Sequence, residues 1–79
     1  MTVKSNFTRD YAVFLEVLLR ARKRQRLTQS AVAASLGKPQ SFVAKYESGE
    51  RRLDVVEFCH IAKALRENPV SLLREMGFI

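Results

Sequence analysis

The sequence predicts a single all-α domain of five short helices, and three observations point to it. Apolar residues recur at steps of three and four. Residues that start and stop helices punctuate the chain, and no stretch shows strand alternation with turn pairs. At 79 residues and 9.0 kDa the chain has room for one core only, since a polypeptide of this size buries roughly 60–65% of its unfolded surface. The whole of residues 1–79 is therefore read as one domain.

The first and longest helix is expected around residues 11 to 22, where Tyr11, Phe14, Leu15, Leu18, Leu19 and Arg22 form one stripe. Thr8 or Asp10 offers an N-cap. Residues 1–7 read either as a flexible arm or as an extra turn. Thr28 suits the N-cap of a second helix running through Val32 and Ala33 to Leu36, with Gly37 ending it. Pro39 favours a new helix start one residue beyond Lys38, so the second and third helices must be joined by a tight turn and cross steeply.

The third helix is expected from Pro39 or Gln40 to Ser48, stopped by Gly49, with Val43 turned inward and Tyr46 and Glu47 open to joining it. Gln40, Ser41, Ala44 and Lys45 share its other face. Phe42 is open to packing over the turn, touching a base methyl, or meeting a partner. A loop carrying Arg51 and Arg52 follows. Asp54 and Glu57 are spaced as a capping box, and Leu53 and Phe58 as a hydrophobic staple. The fourth helix then buries Phe58, Ile61, Ala62 and Leu65. Asn68-Pro69 opens a fifth helix of Val70, Leu72, Leu73 and Met76, closed by Gly77.

Fourteen Lys and Arg against eight Asp and Glu give a net charge of +6, which favours a polyanionic partner. The excess is local. Residues 20–52 hold nine basic and two acidic side chains, while the remainder hold five and six. A general solubility charge would be spread over both parts, so the concentration suggests a surface that meets phosphate. The lone Cys59 cannot close an intramolecular disulfide, which fits a reducing cytosol, and the short apolar run Ala12–Leu15 is neither a signal-peptide core nor a membrane span. A cytoplasmic protein without membrane association is expected. His60 next to Cys59 lacks the second pair a metal site needs, and no nucleophile–base spacing or Gly-rich phosphate loop is present, so neither a cofactor, a metal nor an enzymatic activity is implied.

Helix, tight Gly turn and helix, with a polar outward face and Arg-rich flanks, is the arrangement that puts a helix end into the major groove. The run Arg22-Lys-Arg-Gln-Arg-Leu-Thr-Gln29, then Val32-Ala33, Leu36-Gly37, Val43-Ala-Lys-Tyr-Glu47-Ser-Gly49 and Ile61-Ala62-Lys-Ala-Leu65, resembles the phage repressor and Cro-like (XRE-type) helix-turn-helix family over roughly residues 11 to 76. The resemblance implies a compact lambda-repressor-like DNA-binding domain with the helix-turn-helix at about residues 28–48 and the recognition helix at 39–48.

It also implies roles. Gln29 bonds a phosphate and braces Gln40, and Gln40 faces a base edge, where a Gln amide pairs with adenine N6 and N7. Lys45 reaches a guanine or a phosphate, Ser41 bonds either way, and Ala44 touches a thymine methyl. Lys38, Arg51 and Arg52 are assigned to phosphates. Arg22 pairs with Glu47, since each lies on an otherwise apolar stripe. For Arg20, Lys23 and Arg24, solvation and the edge of a DNA footprint both stay open. Three departures stand out: Ser30 and Ala31 follow the Thr-Gln pair where acidic residues are common, Pro39 replaces the usual Ser or Thr cap of the recognition helix, and Arg66 stands where Gly usually follows the fourth helix.

The implied function is a sequence-specific transcriptional regulator, a repressor, that binds operator double-stranded DNA as a homodimer. Leu72, Leu73, Met76, Phe78 and Ile79 form the expected dimer surface. The alternative is a protein-interaction module, such as a small antitoxin whose Phe42 and apolar tail bind a toxin partner.

Overall fold

A computed structural model describes residues 2–79, with side chains from Thr8 onward. Five helices follow in order: α1 (Thr2–Arg24), α2 (Gln29–Leu36), α3 (Gln40–Ser48), α4 (Val55–Ala64) and α5 (Pro69–Met76). No strand occurs among the described residues. Of the arm or extra turn read for residues 1–7, the backbone of 2–7 continues α1, so Thr8 and Asp10, offered as its N-cap, lie inside the helix; Met1 and the side chains of residues 2–7 lie outside the described residues.

Local signals explain the helix ends. Thr28 accepts the Ala31 N–H at 3.0 Å, the Asp54 side chain and Glu57 close a reciprocal capping box, and Asn68 accepts from Val70 and Ser71 N–H ahead of Pro69 at the first helical position. At the α2 C-terminus Gly37 takes φ 67°, and the N–H groups of Gly37 and Lys38 return to the carbonyls of Ala34 and Ala33. This Schellman turn costs Gly little and would strain any other residue. Two further turns of the same kind are built on arginine: Arg26 and Arg66 stand at φ 58° and 61°. Arg66 thus occupies the left-handed position its place in the sequence implied.

Pro39 is not the first residue of α3. It sits one position earlier, at the N-cap, with extended backbone (φ −70°, ψ 156°) and no side-chain capping bond. A ring without a donor or acceptor cannot cap; it fixes φ and lets Gln40 begin the helix.

The core is shared by all five helices: Val17, Leu18 and Ala21 from α1, Val32 and Ala33 from α2, Val43 and Tyr46 from α3, Phe58, Ile61, Ala62 and Leu65 from α4 and its end, Leu72 and Met76 from α5. Each of Leu18, Ile61, Leu65 and Leu72, taken fully out of water, contributes roughly 1.5–3 kcal/mol. The α4 stripe is the expected one. On α1 the buried stripe is rotated slightly, toward Val17 and Ala21, leaving Leu15 and Leu19 half-buried. That segment is apolar nearly all round, so only its neighbours select the inner face. α1 packs on α3 and α5, α2 on α3 and α4, and α4 on α5.

Leu72 and Met76 correct the expected apolar end surface. They point into the domain, at 0% and 6% exposure, because α5 packs on α1 and α4, and Leu73 is half-buried beside them. Only Phe78 and Ile79 of that set are exposed.

Candidate nucleic-acid interface

The site begins at the two helix starts flanking the Gly37 turn. Gln29 is the first residue of α2 and Gln40 the first of α3. Thr28 and Pro39 set the backbone entering each helix, and the side-chain amides meet: Gln40 Nε2 donates to Gln29 Oε1 at 2.6 Å. Gln29 Nε2 in turn donates to Glu47 Oε1 at 2.8 Å. Glu47 lies two turns along α3 and is gripped from α1 by Arg22, whose Nε and Nη2 donate to its two oxygens at 2.6 and 3.1 Å. The third arm of the guanidinium, Nη1, donates to the Leu27 carbonyl at 2.9 Å in the α1–α2 loop.

The side chains of Arg22 and Glu47 are only 13% and 7% exposed, so each charge is compensated where water scarcely reaches. Removing either partner would strand the other. Arg22, Glu47, Gln29 and Gln40 therefore form one hydrogen-bonded chain from the interior to the surface of α3. The bond between Gln29 and Glu47 had no signal in the sequence, since the two residues are eighteen apart and both were already assigned other partners.

The exposed face of α3 carries Gln40, the outer end of this chain, together with Ser41 and Lys45, with Ala44 half-buried between them. Phe42 turns away from that face. Its ring meets the buried Tyr46 ring edge-on at 5.7 Å, and Lys38 Nζ and the Arg51 guanidinium stand over it at 5.5 and 4.9 Å. Of the three options the sequence left open, Phe42 packs over the turn. The Tyr46 hydroxyl is buried without a hydrogen-bond partner among the described residues, and that burial pushes its ionisation well above the ordinary phenol range.

The loop after α3 divides the two arginines expected there. Arg51 donates to both oxygens of Glu57 at 2.7 and 3.1 Å and to the Arg52 carbonyl at 2.9 Å. Its side-chain bond to Glu57 raises the Arg51 pKa and lowers that of Glu57. Arg51, expected as a phosphate ligand, thus stands exposed with its guanidinium bonded to Glu57 of the same chain. Arg52 has no carboxylate partner among the described residues; its guanidinium lies 4.0 Å from the Tyr11 ring centre. Tyr11 also accepts the Leu53 N–H at 3.2 Å, pinning the end of this loop to α1. Tyr11 was expected only as core, and its hydroxyl is what the apolar stripe could not reveal.

Arg20 and Arg24 face α5 and the α4–α5 loop. Arg24 bonds Glu67 at 3.0 Å and Glu75 at 3.3 Å, and Gln25 adds a bond to Glu67 at 2.8 Å. Arg20 reaches Glu16 at 3.6 Å and Glu75 at 3.7 Å. Their charges are spent on intramolecular pairs. Lys38, Lys45 and Arg52 therefore remain the exposed cations around the α3 face without a carboxylate partner among the described residues. No group of three or more His, Cys, Asp or Glu able to hold a metal occurs among those residues, and no helix is long and apolar enough to cross a membrane.

Comparison with known proteins agrees with this geometry. A family model described as helix-turn-helix matches residues 18–72, from the middle of α1 into α5. Among solved structures, an XRE-family like protein from Pseudomonas syringae pv. tomato str. DC3000 is 41% identical, with a TM-score of 0.92 over 96% of this chain and 93% of that one. Comparison with curated proteins gives no match.

Proposed function

The chain belongs to the XRE-type helix-turn-helix family of DNA-binding transcription regulators, and from that premise we propose that it is a cytoplasmic repressor that binds operator DNA as a homodimer with α3 in the major groove. The observation that carries this reading is the hydrogen-bonded chain from Arg22 to Gln40, which holds a base-reading amide at the start of an exposed helix. Gln40, Ser41, Ala44 and Lys45 form the base-facing surface. Lys38, Arg52 and the remaining Gln29 N–H take phosphates. Base contacts are few, so a large share of affinity comes from phosphate contact and DNA shape.

One domain of this size offers too few contacts for an operator, and two copies spanning half-sites roughly 34 Å apart supply the rest. The partner surface is a shallow groove of about 370 Å³ whose lining includes Tyr11, Leu53, Phe58, Leu73 and Phe78. Val55, Phe78 and Ile79 stand exposed there or beside it, at 72%, 44% and 66%. Apolar exposure of this kind marks interfaces.

Selection of bound sequences from a random duplex pool tests the reading. A palindromic consensus is expected. With about four cations meeting phosphate across a dimer, two from each copy, affinity should fall on the order of a hundredfold between 50 and 200 mM salt. No enrichment, or binding indifferent to salt, would reject it. Deleting Phe78 and Ile79 should weaken self-association in sedimentation, and an unchanged profile would reject that surface.

A further inference from the structure

We propose that Glu47, which reaches no base itself, decides which purine Gln40 accepts, by fixing the direction of the amide chain between them. The proposal rests on the DNA-reading function given above. Donor and acceptor logic makes the case. A carboxylate only accepts hydrogen bonds, and Glu47 is held by two bonds from Arg22, so it cannot exchange roles. Gln29 must therefore turn its NH2 toward Glu47 and its carbonyl toward Gln40, as found at 2.8 and 2.6 Å. Gln40 must in turn give an N–H to Gln29. Turning either amide over would set oxygen against oxygen, or NH2 against NH2, at hydrogen-bonding distance.

What Gln40 has left is its carbonyl oxygen and one N–H. That pair matches adenine, which offers an N6 donor and an N7 acceptor, and fails on guanine, whose O6 and N7 both accept. A free Gln side chain keeps the adenine fit but can also turn its NH2 end outward toward guanine, so its bias is weaker. Glu47 is thus a positioning residue for specificity, acting through Gln29.

Two variants separate this role from a structural one. Glu47→Gln introduces an NH2 that meets an Arg22 donor at either oxygen position, and it fits better where it faces Gln29, since the Arg22 contact there is the longer one, 3.1 Å from Nη2 against 2.6 Å from Nε. Gln29 and Gln40 then reverse, and NH2 turns toward the base. Gln29→Met removes the relay while leaving the Arg22–Glu47 pair in place, so it guards against loss of fold. The readout is the ratio of affinities for matched duplexes carrying A or G at the position Gln40 reads. In the unaltered protein we expect roughly tenfold or more in favour of A. The ratio should fall severalfold in Gln29→Met, where Gln40 is free to turn, and further, to one or below, in Glu47→Gln. A lost phosphate contact at Gln29 would weaken both duplexes equally and leave the ratio unmoved, and an unmoved ratio in both variants overturns the proposal.

The free protein gives a second reading by NMR. The side-chain amide protons of Gln29 and Gln40 that make these bonds should exchange slowly with water; in Glu47→Gln the protection of Gln40 should vanish while that of Gln29, now donating to Gln40, persists. Solvent-like exchange of both amides in the unaltered protein overturns the lock without any DNA. Failure to bind any duplex would remove the DNA reading and the base-selective role with it, while the amide spectrum still judges the lock.

Discussion

Arg22 and Arg24 lie two residues apart on α1, and each bonds glutamate carboxylates from distant helices, yet they serve different ends. Arg22 and Glu47 are 13% and 7% exposed; Arg24 is 45% exposed, with Glu67 and Glu75 at 14% and 31%. The first pair sits where a stranded charge is costly, and its outer edge passes into Gln29 and Gln40. The second holds α1 to the α4–α5 loop and α5 under partial solvent, where water screens the attraction. The same chemistry thus couples the fold to the reading face in one place and only trims a surface in the other. Burial makes the difference.

The largest test of that contrast is Arg22→Ala. It leaves Glu47 buried without its partner, and a loss of about 3–5 kcal/mol is expected, enough to lower the melting temperature by well over 10 °C in a domain of this size. A melt within a degree or two of the unaltered protein would show that the buried pair is not structural. Next comes Tyr46→Phe, which removes a buried hydroxyl without a partner next to the same network. With nothing to lose and a desolvated group removed, the variant should be more stable by about 1 kcal/mol in chemical denaturation. Destabilisation would mean that the hydroxyl is satisfied in solution.

Arg66→Gly should stabilise by a similar amount, about 1 kcal/mol, since Arg66 holds φ 61° immediately before Glu67, the partner of Arg24. A loss of stability would place Arg66 in a contact that outweighs backbone strain. Arg24→Ala should cost less, about 1 kcal/mol at most, and less again at high salt. A loss approaching that of Arg22→Ala would erase the distinction between the two networks. The smallest effect is acid dependence. The side-chain bond from Arg24, followed by that from Gln25, holds Glu67 below its ordinary 4.5. Because the folded value is the lower one, the contribution of Glu67 is fully present above about 4.5 and fades as pH falls through the folded value. The stability difference between Glu67→Gln and the unaltered protein should therefore close on acidification below 4.5, as followed by melts at stepped pH.

Much of the scaffold was legible because its signals act within one helical turn. Thr28, the Asp54–Glu57 pair and Asn68 bond N–H groups two or three residues away, so spacing along the chain is spacing in space. The left-handed turn at Arg26 was not legible, since neither Gly nor Asn marks it; its carbonyl partners belong to α1 itself. In the site, Arg22–Glu47 and Gln29–Gln40 followed from resemblance, each as a separate pair. That they join through a Gln29–Glu47 bond became visible only with α2 packed on α3. Arg51 shows the converse: read as a loop cation near DNA, it spends its charge on Glu57 six residues on, a pairing set by how the loop turns back onto α4.

By itself the sequence determined the number of helices, the starts of α2, α4 and α5, the glycine stops after α2, α3 and α5, the α4 core stripe and a concentration of positive charge in residues 20–52. These depend on periodicity, on backbone groups within a few bonds, or on simple counting. The tertiary structure alone decided which face of α1 is inner, that Leu72 and Met76 belong to the core rather than to an outer surface, and which basic residues stay unpaired beside α3. The physical reason is range. A cap or a turn is satisfied locally, but the burial of a side chain and the partner of a charge depend on elements as far as fifty residues away, whose positions no local pattern contains.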